Sequence, residues 1–138
     1  MKIGVIIGLL IHLSTQWCFF TSFSEQDEKI LSVDYSPDGQ FIATGSSSNR
    51  VSIFNTKTYD VVWFETLSND VLDVKFTHDG TQLGVTQNST DTVKIYNISG
   101  SGEGTQVYSG DPTSNNDQGF NEIDFNPNHD EVVLCGNF

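Results

Sequence analysis

The chain has 138 residues, with 18 Asp and Glu against 6 Lys and Arg and a formal net charge of -12. That length admits one modest domain with a small core, and so few cations argue against nucleic acid as a partner, because a polyanion needs a Lys/Arg footprint. Gly, Ser, Thr, Asn and Asp recur between short apolar runs, which suits many short strands joined by turns and not long helices.

At the N-terminus, Lys2 precedes an apolar run from Ile3 to Leu13, a length that fits the core of a secretory signal better than a membrane span. Ser22 and Ser24 place small residues at signal-peptidase spacing. Residues 1–24 are therefore read as a signal peptide cut after Ser24, leading to the secretory pathway or the extracellular space. The alternatives are an uncleaved membrane anchor, since Trp17, Cys18, Phe19, Phe20 and Phe23 extend the apolar stretch, or a buried edge strand or internal start in a cytoplasmic protein. Loss of the signal removes Cys18 and leaves Cys135, whose setting in VVLCGNF is expected to bury it in a strand; pairing with another chain is the alternative. No CxxC or Cys/His zinc spacing occurs.

From Ile30 onward three segments fall into register. Each begins with a strand of alternating character: Leu31, Val33, Tyr35; Leu72, Val74, Phe76; and Asn121, Ile123, Phe125. Asp34, Lys75 and Asp124 share one intervening position, expected to look toward solvent or a partner. A reversing turn follows each strand, Ser36-Pro37-Asp38-Gly39, Thr77-His78-Asp79-Gly80 and Asn126-Pro127-Asn128-His129. Pro presets φ there, Asp or Asn bonds its own backbone, and Gly accepts positive φ. The turns repeat after 41 residues (36 to 77) and again after 49 (77 to 126), the excess lying in the Gly/Ser/Asn-rich stretch 99–119. Second strands follow at Phe41, Gln82 and Glu131, third strands at Val51 (VSIFN) and Val93 (VKIYN), and fourth strands are expected over Tyr59–Glu65 and Thr105–Tyr108.

The period, the SPDG-like turn, the small-residue second strand and the aromatic that closes the third strand together resemble the WD-repeat family, from Ile30 to the C-terminus. Phe54-Asn55 and Tyr96-Asn97 stand where that family usually has Trp-Asp, and its opening Gly-His pair is missing before Val71 and Phe120, so its buried His network is not carried over. The resemblance implies an all-β fold: a partial β-propeller of four-stranded antiparallel blades over 25–138, with units near 30–70, 71–119 and 120–138. A blade must stack on neighbours to keep two apolar faces dry, so a chain of about two and a half blades is expected to be a fragment, a truncated product or a subunit completed by other chains.

Little in the residues points to catalysis. His78 and His129 sit at repeat-equivalent tips, expected to lie too far apart for one reaction centre. Gly100, Gly102 and Gly104 lack the spacing and the strand-to-helix setting of a phosphate cradle and are read as a flexible loop. Asp111, Asn115, Asp117 and Glu122 do not follow an EF-hand order. Asn88 and Asn97 open N-glycosylation sequons, Asn88 in a loop and Asn97 at a strand end. No catalytic residue, metal ligand or cofactor is nominated. The expected function is a scaffold module that binds other proteins. The alternatives are a ligand- or metal-binding, even enzymatic, propeller of another family, with Asp34 and Asp124 its first candidates, or a secreted structural component that polymerises through open edges.

Overall fold

A computed structural model describes residues 4–7, 11–13, 16–18, 21–24, 29–88, 92–110, 119–129 and 131–136, and every regular element among them is a strand. Near the N-terminus, β1 (Gly4–Ile7) pairs antiparallel with β4 (Thr21–Ser24), while β2 (Ile11–Leu13) pairs with β3 (Gln16–Cys18). Blade 1 then runs as a four-stranded meander of β5 (Ile30–Tyr35), β6 (Phe41–Ser46), β7 (Arg50–Asn55) and β8 (Val61–Thr66). Blade 2 repeats it with β9 (Val71–Phe76), β10 (Gln82–Gln87), β11 (Val93–Ile98) and β12 (Gly104–Gly110). Blade 3 contributes β13 (Phe120–Phe125) and β14 (Val132–Gly136). The expected fourth strands are present, β8 starting two residues later and ending one later than expected, and β12 reaching one residue further back and two further on. All neighbouring strands within a blade are antiparallel, as consecutive strands joined by short turns must be.

The alternation predicted for the first strand of each unit is broken in the same way three times. Ile30 and Ser32 pair with Ser46 and Gly45, Val71 and Asp73 with Gln87 and Thr86, and Phe120 and Glu122 with Gly136 and Cys135. Leu31, Leu72 and Asn121 are thus the extra residues of equivalent β-bulges. A bulge resets which face the chain addresses, so Val71 and Val74 both point into the core although an odd number of positions separates them.

The blades stack face to face. Ala43, Val51 and Ile53 of blade 1 meet Val71, Val74, Phe76, Leu83, Val85 and Tyr96 of blade 2 in one buried cluster. A second cluster joins Val93 of blade 2 to Phe120 and Ile123 of blade 3, with Ile95, Phe125 and Leu134 packed on it. Each fully covered Val, Leu or Ile contributes roughly 1.5–3 kcal/mol. Small residues set the spacing: a Cβ on Gly84 would stand 2.5 Å from Ile123 Cδ1 and 2.8 Å from the Phe125 ring. Val33 and Tyr35, which occupy in blade 1 the places of Val74 and Phe76, are 61% and 55% exposed.

Carboxylates on the innermost strands bind each blade to the next. Asp34 accepts a 2.8 Å hydrogen bond from the Phe76 backbone N–H and lies 3.6 Å from Lys75 Nζ. Asp73 accepts from the Ser32 hydroxyl of blade 1 and, through its other oxygen, from the Ile123 N–H of blade 3 at 3.0 Å. Of the shared position expected to face solvent or a partner, Asp34 and Lys75 face each other across neighbouring blades, while Asp124 is exposed. First strands of adjacent blades cannot form a sheet with each other, and a charge-assisted bond to a backbone N–H links them instead.

Two outcomes test this stacking in chemical denaturation. Gly84→Val is expected to cost about 1–3 kcal/mol through overpacking; a midpoint equal to the parent's would mean that the sheets do not meet there. Asp73→Ala is expected to cost about 1–3 kcal/mol by leaving backbone donors unpaired, with Asp73→Asn intermediate. An Ala variant as stable as the parent would remove the carboxylate from any role in joining blades.

Candidate functional site

The hairpin tips are built from their own side chains. In the first, the Gly39 N–H bonds the Ser36 carbonyl at 2.8 Å, the Ser36 hydroxyl donates to Asp38 at 2.6 Å, and Asp38 accepts from the Gln40 N–H at 2.9 Å. The second repeats it: the Gly80 N–H bonds the Thr77 carbonyl at 2.9 Å, Thr77 Oγ1 donates to Asp79 at 2.7 Å, and the Thr81 N–H donates to Asp79 at 3.0 Å. Gly39 and Gly80 take φ of 70° and 72°, as the turn chemistry demands. The third tip closes differently: Asn126 Oδ1 accepts from the Asn128 N–H at 3.0 Å, and its side-chain amide donates to Glu131 at 2.9 Å.

These bonds hold both turn aspartates ionised. The Ser36 hydroxyl and the Gln40 N–H lower Asp38, and the Thr81 N–H followed by the Thr77 and Thr81 hydroxyls lowers Asp79, each below the 3.8 of a free side chain. A depressed carboxyl favours the folded tip above the unfolded pKa, and that preference fades as pH falls through the folded value.

Tips of successive blades are neighbours. Pro37 of blade 1 lies where a Cβ on Gly80 of blade 2 would approach it to 3.2 Å. Between the tips of blades 2 and 3 runs a groove of about 660 Å³ whose walls include both His78 and His129, with Asp79 and Glu131. Ile95, Phe125 and Val132 are its apolar lining. Among the described residues no group of three His, Cys, Asp or Glu side chains is placed to hold a metal ion. The groove escaped the sequence because His78 and His129 lie 51 positions apart (78 to 129), and only blade stacking makes them walls of one cleft.

Other singled-out residues fall elsewhere. Asp34, the first metal candidate, has both oxygens turned to blade 2, and Asp124 accepts the Phe125 N–H at 3.0 Å. Asn88 is exposed at the end of β10; Asn97 is exposed on β11 and accepts from the Gln82 amide at 2.9 Å. Asp111, Asn115 and Asp117 lie outside the described residues. Cys135, expected to be buried, is exposed: β14 turns it to the face of blade 3 away from blade 2, where no described sheet packs. The glycine string is no loose loop either. Gly102 is buried at φ 87°, and a Cβ there would meet Phe41 and Val62 of blade 1 at 2.7 Å, so the turn is a packing element.

The aromatics that close the third strands are both buried. Tyr96 receives Trp63 of blade 1 edge-on, ring centroids 5.1 Å apart and planes at 61°. Burial, with the Glu65 charge as second cause, pushes the Tyr96 phenol well above its ordinary range.

The family model "WD domain, G-beta repeat" matches residues 17–55, from Trp17 in β3 to the Phe54-Asn55 pair. No curated protein matches the sequence. Among solved structures the chain is similar to the beta-propeller domain of Cps50 (Swd1) from Myceliophteria thermophila, at 12% identity and TM-score 0.58, over 70% of this chain and 36% of that one. It is similar to U3-55K at 12% identity and TM-score 0.68, over 80% of this chain and 34% of that one. The WD40 repeats of RRP9 align at 12% identity and TM-score 0.68, over 80% and 33%. The chain thus spans about a third of the length of these propellers, and identity this low speaks to fold alone. With a repeat match ending on the closing aromatic and blades that superpose on these domains, this chain is, in fold, a divergent and partial WD40-type β-propeller.

Proposed function

We propose that the chain is a protein-binding scaffold module and that it takes its partner in the groove between the tips of blades 2 and 3. The observation that carries this reading is the make-up of the groove, lined by apolar Ile95, Phe125 and Val132 together with the polar and charged side chains of His78, Asp79, His129 and Glu131. Protein interfaces combine such an apolar centre with a polar border. In a chain of net charge -12, Asp79 and Glu131 favour a partner segment that carries positive charge. The likeness in fold to WD40 propellers supports the same class of function.

A photo-crosslinker placed at His129 is expected to capture one defined protein from the native source, while the same group at Ser48, exposed at the opposite end of blade 1, captures none. Equal capture from both positions, or from neither, would refute the groove as the binding site.

Residues 1–24 bear on localisation. The apolar run Ile3–Leu13 supports a leader. The pairing of β1 with β4, the family match from Trp17, and the burial of Ile42 and Phe54 on the face of blade 1 turned from blade 2 support a set of blade strands, the reading favoured here. Intact mass of the chain from its native source is expected to include residues 1–24; a mature terminus at Glu25 would restore the leader.

A further inference from the structure

The hairpin tips of blades 2 and 3 bring two imidazoles to one place. In the first pair of tips Pro37 faces Gly80, where a Cβ would approach it to 3.2 Å. One blade later the residues at those two turn positions are His78 and His129, and both line the groove. Each sits on a hairpin closed by its own bonds. The Gly80 N–H holds the Thr77 carbonyl in one, and Asn126 holds the Asn128 N–H and Glu131 in the other.

Few ionisable groups line this groove. The second tip contributes His78 and Asp79, the third contributes His129 and Glu131, and β11 contributes Ile95, which does not titrate. The nearby charges on other elements are engaged elsewhere: Asp38 with Ser36 and Gln40, Lys75 with Asp34, and Lys94 with Glu65. Asp130, next to His129 in the chain, lies outside the described residues.

The acids and bases of the groove respond to different ranges of pH. A carboxylic acid has given up its proton by about pH 5.5, and the Thr81 N–H with the Thr77 and Thr81 hydroxyls holds Asp79 lower still. An imidazole exchanges its proton between about pH 5 and 8. Among the described lining residues, only His78 and His129 therefore change charge between mild acid and neutrality.

Resting on the reading of the groove as a protein-binding site, we propose that the His78 and His129 pair gates it by pH: it holds a positively charged partner segment at neutral pH and releases it in mild acid. Neutral imidazoles leave Asp79 and Glu131 to attract the cation. Protonated imidazoles offset those two charges and repel the segment at close range. Because the two rings come from adjacent blades and address one small volume, their effects add.

The test uses the full chain and hexalysine as a stand-in for the basic segment. Binding is expected to be about tenfold weaker at about pH 5.5 than at about pH 7.5. The double variant His78→Gln, His129→Gln is expected to bind with one affinity at both. By linkage, saturating peptide must shift the two imidazole signals in NMR to titrate at lower pH, by the same factor of about ten in their combined proton affinity. That readout needs no variant, so it does not depend on how the double variant folds. Parent binding that ignores pH, a pH response that survives in the double variant, or imidazole signals that peptide does not move would each overturn the gate. Asp79→Asn with Glu131→Gln separates gate from groove. If that change abolishes binding at the higher pH while the parent shows no pH response, the groove stands and the gate falls. If it leaves binding intact, groove and gate are removed together. If the parent binds no hexalysine, the positively charged partner is refuted and the gate with it.

Discussion

A four-stranded antiparallel blade has two apolar faces and can keep neither dry alone. Everything else in this chain follows from that constraint. Blade 2 solves it on one side by resting Val71, Val74, Phe76, Leu83 and Val85 on Ala43, Val51 and Ile53 of blade 1. It solves it on the other side, in part, by receiving Ile123 and Phe125 against Gly84. On the other face of blade 1, Ile42 and Phe54 are buried while Val33 and Tyr35 of its first strand are 61% and 55% exposed.

Packing of sheet faces is non-directional, and something must hold the register between blades. Asp34 and Asp73 do so by accepting the backbone N–H groups of Phe76 and Ile123 across the gap between first strands. The Gly-His pair that opens a WD repeat is missing before Val71 and Phe120, and neighbouring first strands are coupled by the carboxylates Asp34 and Asp73. The equivalent bulges at Leu31, Leu72 and Asn121 serve the same end, because each resets which face the first strand presents to a neighbouring blade.

The candidate site lies where the repetition is interrupted. Between blades 1 and 2 the space beside the tips is filled by Tyr96, Gly102 and Gly104 resting on Trp63 and Val62. Between blades 2 and 3 lies the groove, lined by Ile95 of blade 2 and by Phe125 and Val132 of blade 3. The groove thus brings apolar Ile95, Phe125 and Val132 together with His78, Asp79, His129 and Glu131 from two neighbouring blades.

Strand positions, turn chemistry and the repeat were legible in the residues, because alternation, Pro-Asp-Gly turns and closing aromatics act over a few positions and report local structure directly. The string from Ser36 to Gly39 is enough to require a hairpin tip, and Phe54-Asn55 and Tyr96-Asn97 mark the third strands in any context. The bulge at Leu72, the exposure of Cys135, the packed turn at Gly102 and the shared groove of His78 and His129 are different in kind. Each depends on which face of which blade meets another, and that is decided by contacts between residues about 40 to 50 positions apart, a separation at which the order of residues along the chain carries no local signature.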